Sequence, residues 1–216
     1  MLKTMFDLVR ADLAHYSRFC CRGKPLWQVL PRILYTHPAS WAVIWYRLGS
    51  RAWRLRTPVL KQLLQLIYLI GMPAVRLYSG VQLQPTTRIG PGLAIMHFGG
   101  VVVAPECRIG DNCLLYHNVS IVTMRNRQGP QIGNNFYAGV GATIIGSLII
   151  EDNVTAGAAC VITKSVPEGA IVAGVPARII RYREPGENPA ENKTLPDRQA
   201  EWLTAPPKSM EKIDRS

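Results

Sequence analysis

The sequence predicts a parallel β-helix preceded by a helical domain, and two observations carry that prediction. Every sixth residue from Ile132 is small or apolar: Ile132, Ala138, Ile144, Ile150, Ala156 and Ile162. Ala142, Leu148, Val154 and Cys160 form a second small or apolar set, four places after most of these. A sustained period of six is neither the helical period of about 3.6 nor simple strand alternation. It is a hexapeptide repeat, in which short strands wind into coils and each coil buries its inward residues against the next. The second observation is that the repeat stops near Gly80, and the chain before it has helical spacing. The expected domains are therefore 1–78 helical, 79–182 coil and 183–216 a polar tail.

In the helical part, Phe6, Leu8, Val9, Leu13 and Tyr16 recur near helical spacing. Ser40 can cap a helix through Trp41, Ile44, Trp45, Leu48 and Trp53. Thr57-Pro58 supplies a cap and a first-turn proline for Val59–Ile70, which Gly71-Met72-Pro73 is expected to end. In the coil, Ile89, Ile95 and Val101 keep the period, then a two-residue slip re-phases it to Val103, Ile109, Leu115 and Ile121. Ile132 comes next in frame, so the intervening Val122–Gln131 should leave the coil as a loop. After Ile162, the Pro and Gly residues of TKSVPEGAIVAGVPARII are expected to break the coil.

Of 216 residues, 48% are hydrophobic and 18% charged, which excludes a disordered chain. The net charge of +11 is concentrated in residues 1–80, where twelve Lys and Arg face only Asp7 and Asp12. That patch suits anionic lipid headgroups or an acidic polymer, or is a solvated helical face; no nucleic-acid partner is expected. Trp27, Trp41, Trp45 and Trp53 suit either helix packing or a membrane interface. Cys20 and Cys21 are adjacent, while Cys107, Cys113 and Cys160 lie in the repeat, a distribution that fits buried thiols rather than a disulfide framework. Asp7 and Asp12 interrupt any apolar leader, and the run Leu63–Val75 is short for a bilayer. The expected location is cytoplasmic, with peripheral contact at the inner face of the cell membrane.

The segments IGDNCLLYHNVSI, IGNNFYAGVGATIIG and AGAACVITKSVPEGAIVAGVPARII resemble the left-handed β-helix (hexapeptide-repeat) acyltransferases, specifically the serine acetyltransferase group. LYTHPASWAVIWYRLGSRAW resembles the paired helices that precede the coil there, and GVQLQPTTRIG the family's lead-in to the coil. The resemblance implies a homotrimer, with doubling through the N-terminal helices left open, and acetyl-CoA as co-substrate bound between neighbouring coils. Acetyl transfer to a hydroxyl needs a base for the proton, and imidazole suits that role. His97, in IMHFGGVVV, matches the family's catalytic histidine; His117, in LLYHNVSI, is the assisting candidate. His15 and His37 read as structural. Ala138, Gly139, Gly141, Ala156, Gly157 and Ala158 are expected to keep the CoA groove small-sided, with Lys164 and Arg178 meeting its phosphates. No metal is expected, since a zinc site needs three protein ligands and the coil offers two histidines.

Three positions depart from the serine-specific pattern. Met96 and Gln82 stand where those members carry aspartates, and in the loop NRQGPQI Arg127 survives but Gln128 and Gly129 stand where the second histidine should be. A buried ammonium without a carboxylate partner is costly. The sequence therefore points to a sugar hydroxyl as acceptor, in the manner of exopolysaccharide O-acetyltransferases. The alternatives are serine O-acetylation in cysteine biosynthesis, or a non-catalytic trimeric scaffold.

Overall fold

The computed structural model describes residues 4–21, 24–124, 128–184 and 187. Four helices come first: α1 (Met5–Cys20), α2 (Leu26–Thr36), α3 (Ala39–Arg54) and α4 (Pro58–Ser79). The strands that follow, numbered in chain order, wind into a three-sided parallel coil. One face stacks β1 (Val81–Leu83), β4 (Val101–Val103), β7 (Ser120–Val122), β10 (Thr143–Ile145) and β13 (Val161–Ile162). The second stacks β2 (Arg88–Ile89), β5 (Arg108–Ile109), β8 (Gln131–Ile132) and β11 (Ile149–Ile150). The third stacks β3 (Ala94–Ile95), β6 (Leu114–Leu115), β9 (Tyr137–Ala138), β12 (Thr155–Ala156), β14 (Ala170–Ala173) and β15 (Arg178–Tyr182).

The repeat sets the core. Ile89, Ile109, Ile132 and Ile150 pair in register up the second face, and Ile95, Leu115, Ala138 and Ala156 up the third; all are buried. Cys107, Cys113 and Cys160 are free, buried thiols, and burial pushes them up to about 11, 12 and 11, so none is a ready nucleophile.

The coil does not end after Ile162. Val166 bridges to Ile150, and β14 pairs with β12 before β15 folds back antiparallel on β14. The breaking residues of VPEGAIVAGVPARII thus sit at the corners of a last turn, where they are tolerated. Helix α4 also outruns its expected end, continuing through Pro73 to Ser79 with Gly80 as a left-handed cap at φ 68°. Gly71 is there for close helix approach: a Cβ would run into the Trp45 ring. Pro73 is exposed, so the carbonyl it leaves unpaired is open to water. Ser40 lies inside α3, buried, rather than capping it.

A buried ion pair locks the helices onto the first coil. Arg47 on α3 donates to both carboxylate oxygens of Asp12 on α1, at 2.8 and 2.9 Å. Arg47 also donates to the carbonyls of Ile89 and Gly90, and Asp12 accepts the amides of Gly92 and Leu93 at 2.8 Å each. The His15 Nδ1–H donates to the Gly92 carbonyl, and burial pushes that imidazole down to about 4, so it is neutral and structural. The Tyr16 hydroxyl both donates to and accepts from Ile95 backbone, at 2.9 Å each way. Of the tryptophans, Trp45 and Trp53 pack on Tyr68, while Trp27 and Trp41 are exposed.

Candidate active site

The corner where the third face turns into the first is built the same way in coils two to four. It reads Tyr116-His117-Asn118, Gly139-Val140-Gly141 and Gly157-Ala158-Ala159, with the last residue of each left-handed (φ 61°, 69° and 54°). The first coil differs. Ile95 pairs with Leu115 and Val102 with Ser120, which leaves two additional residues in that corner. The two-residue slip thus lies before Val101 rather than after it. It makes a bulge, and His97 sits on it at φ 68°. A left-handed non-glycine residue costs about 1–2 kcal/mol, and such strain persists where a side chain must be aimed.

Around the exposed His97 three rings converge. The His117 ring lies 5.6 Å away edge-on, Tyr116 at 5.8 Å and His37 at 6.4 Å, between centroids. His37 arrives from the junction of α2 and α3, where the following Pro38 ends one helix and opens the next. Among the described residues the Nδ1 atoms of His37 and His117 are buried with no hydrogen-bond partner. Buried polar atoms are normally satisfied, so two such atoms beside one exposed imidazole mark a place for a polar ligand. Burial, with smaller contributions from His97 and Arg32, lowers the His37 imidazole below the usual histidine range. It is therefore a neutral ring at neutral pH, able to accept a hydrogen bond. Sequence reading took His37 as structural; its proline neighbour marked a helix boundary but not the packing that carries it to His97.

Other expected site residues are placed differently. Met96 is buried, its sulfur 3.5 Å from Cys20 Sγ, in the cluster formed with α1 and α2. Gln82 lies on β1 in register with Val102 and, among the described residues, makes no hydrogen bond to His97. The loop between β7 and β8 leaves the coil as expected, but at the corner between the first and second faces; Arg127 lies outside the described residues.

Below His117 the corner is small-sided. Ala138 and Ala156 point into the core, so they shape the coil and present no side chain to a ligand. The Gly139 and Gly157 amides are held in the ladder, donating to Ala156 and Val172 carbonyls at 2.8 Å each. What remains outside is the exposed Val140 side chain, Gly141 and the exposed methyls of Ala158 and Ala159, a mostly low ridge along which a thin flexible chain can lie. Lys164 and Arg178 are exposed cations in the last turn. A pantetheine arm has the length and thinness for such a ridge, and cations beyond it suit phosphates. A Cβ at Gly139 would meet the Ala158 nitrogen at 2.7 Å. Gly139→Ala should therefore spread two coils at this corner, cost about 1–3 kcal/mol of stability and raise KM for acetyl-CoA several-fold. Unchanged melting and KM would remove this corner from the CoA path. Among the described residues no group of three His, Cys, Asp or Glu could hold a metal.

No protein-family profile matches the chain. Comparison with curated sequences gives a serine acetyltransferase of Synechococcus elongatus, 31% identical over 171 residues, covering 78% of this chain and 67% of the relative. A second, from Synechocystis, is 30% identical over 174 residues, covering 79% and 67%. The chain belongs to the serine acetyltransferase family. It spans about two thirds of the length of these relatives. Among solved structures, soybean serine acetyltransferase in complex with serine superposes with a TM-score of 0.69 at 25% identity, over 82% of this chain and 69% of that one. The Vibrio cholerae enzyme superposes at 0.71 and 21% identity, over 86% and 69%, which speaks for the fold.

Family membership makes the chain an acetyl-CoA-dependent O-acetyltransferase. It also corrects the expected acceptor: the relatives are named serine acetyltransferases, and nearness to exopolysaccharide enzymes has no support. The structure shows why the sequence misled. The case against an amino-acid acceptor rested on an apolar Met96 in the pocket, and Met96 is packed under α1 instead. Its lack of charge says nothing about an ammonium site.

Proposed function

We propose that this chain transfers the acetyl group of acetyl-CoA to the hydroxyl of L-serine. The observation that carries the reading is the exposed His97 on a strained bulge, flanked by His37 and His117, in a chain of this family. His97 takes the hydroxyl proton as the serine oxygen attacks the thioester carbonyl. The C–S bond then breaks, and the imidazolium returns the proton to the departing CoA thiolate. No covalent enzyme intermediate is formed. We assign His117, whose Nδ1 is unpartnered among the described residues, to assist the acceptor or the thioester region.

Serine brings an ammonium, and no Asp or Glu occurs between Asp12 and Glu106. The neutral His37 ring is the acceptor available beside His97. His37→Phe is expected to raise KM for serine about tenfold, the equivalent of one lost hydrogen bond to a charged group, while KM for acetyl-CoA stays unchanged. Equal changes in both constants would reduce His37 to a packing role. Since protonation of His37 would repel the ammonium, wild-type KM for serine should also rise as pH falls through its lowered pKa, and the variant's should not.

The histidine corner and the loop that holds Arg127 sit at different corners of one coil. Threefold self-association is proposed for this chain, as the family resemblance implies. The deciding assay is CoA thiol release from acetyl-CoA with and without L-serine, with O-acetylserine identified as product. Serine-independent or absent turnover in folded protein that binds acetyl-CoA would overturn the reading.

A further inference from the structure

The helix α4 packs on α3 through Tyr68 and Gly71, and its opposite half is bare. Val59, Leu63, Leu66, Ile70, Pro73 and Leu77 follow one another at alternating steps of four and three, all exposed. Leu60, Ile67, Leu69, Ala74 and Tyr78, also exposed, widen this seam to about half the helix circumference. The 22 residues run about 33 Å. An apolar face of that size on a soluble monomer needs a cover.

Charge decides between covers. From residue 13 to residue 105 the chain holds eleven Lys and Arg and no Asp or Glu. Arg76 borders the face on α4, and Arg51, Arg54 and Arg56 lie at the α3–α4 junction. A second copy of this face would bring cations against cations, with no carboxylate to neutralise them. The apolar arc is also wider than the narrow seam of a two-helix coil. An anionic bilayer surface complements both features, apolar interior for the stripe and phosphate for the flanking cations. By length and composition α4 alone could cross a bilayer, but it packs on α3 through Tyr68 and Gly71, and α3 carries Arg47, Arg51 and Arg54, which disfavours crossing.

We propose that α4 lies in the plane of an anionic lipid surface, holding the enzyme peripherally with the coil in water. The test is co-sedimentation of the full chain with vesicles of phosphatidylcholine alone, or of equal parts phosphatidylcholine and phosphatidylglycerol. Wild type should bind the anionic vesicles about tenfold or more tightly than the neutral ones, and lose that margin in high salt. Leu63→Glu with Ile70→Glu, both at exposed positions, should abolish binding while leaving melting temperature and thiol release as in wild type. Arg56→Gln with Arg76→Gln, both at exposed positions, should weaken only the anionic preference. Absence of binding to anionic vesicles overturns the proposal, as does binding that survives the glutamates. Sedimentation velocity provides the remaining arm. If wild type ignores vesicles and its assembly shrinks in the glutamate variant, the cover is a second copy and the membrane reading is wrong.

Discussion

His97→Ala is expected to lower kcat with L-serine by about 10²–10⁴ while the protein stays folded. The residue is exposed on a bulge outside the coil's hydrophobic interior, so its removal leaves the stacked isoleucines untouched. The rings beside it do not replace it. His117 has one nitrogen buried, and His37 is the neutral neighbour assigned to the ammonium. His97→Asn is the better-controlled variant, because asparagine tolerates the left-handed backbone that the bulge imposes at φ 68°. Both should melt with wild type and both should lose turnover. A folded variant that retains full turnover would remove His97 as the base and leave the bulge's strain without a purpose.

The largest effect on stability is expected at the Asp12–Arg47 pair. Arg47→Met leaves a buried carboxylate with only the Gly92 and Leu93 amides as donors. Breaking a buried pair from one side costs about 3–5 kcal/mol, which corresponds to a fall in Tm of roughly 6–20 °C for a chain of this size. The Ile89 and Gly90 carbonyls lose their donor at the same time, so the helical domain loosens from the first coil. Because that domain carries His37, KM for serine should rise more than kcat falls. Asp12→Leu with Arg47→Met should recover part of the loss, since no unpaired charge is then left buried. Thermal melts followed by circular dichroism decide it: a single variant that melts with wild type would mean the pair adds nothing.

The coil was legible because its signal is local. An inward residue every sixth position reports the same in-or-out decision at each turn of the chain, and the structure buries Ile132, Ala138, Ile144, Ile150, Ala156 and Ile162 alike as the period requires. Misreadings came where local rules have two outcomes. Glycine and proline end a helix or a coil when nothing holds them, yet Gly71 is held by Trp45 and the last turn by pairing of β14 with β12.

His97 was singled out by the resemblance of IMHFGGVVV to the family's motif, and the structure sets it exposed on a bulge. By itself the sequence determined the repeat and the exit of the loop after Val122, because periodicity is a property of adjacent residues. Only the tertiary structure decided that His37 meets His97, that Met96 is packed away from the site, and that α4 is left bare on one side. Those outcomes depend on which helix face finds a partner on the coil, and side chains some sixty residues apart carry no mutual period.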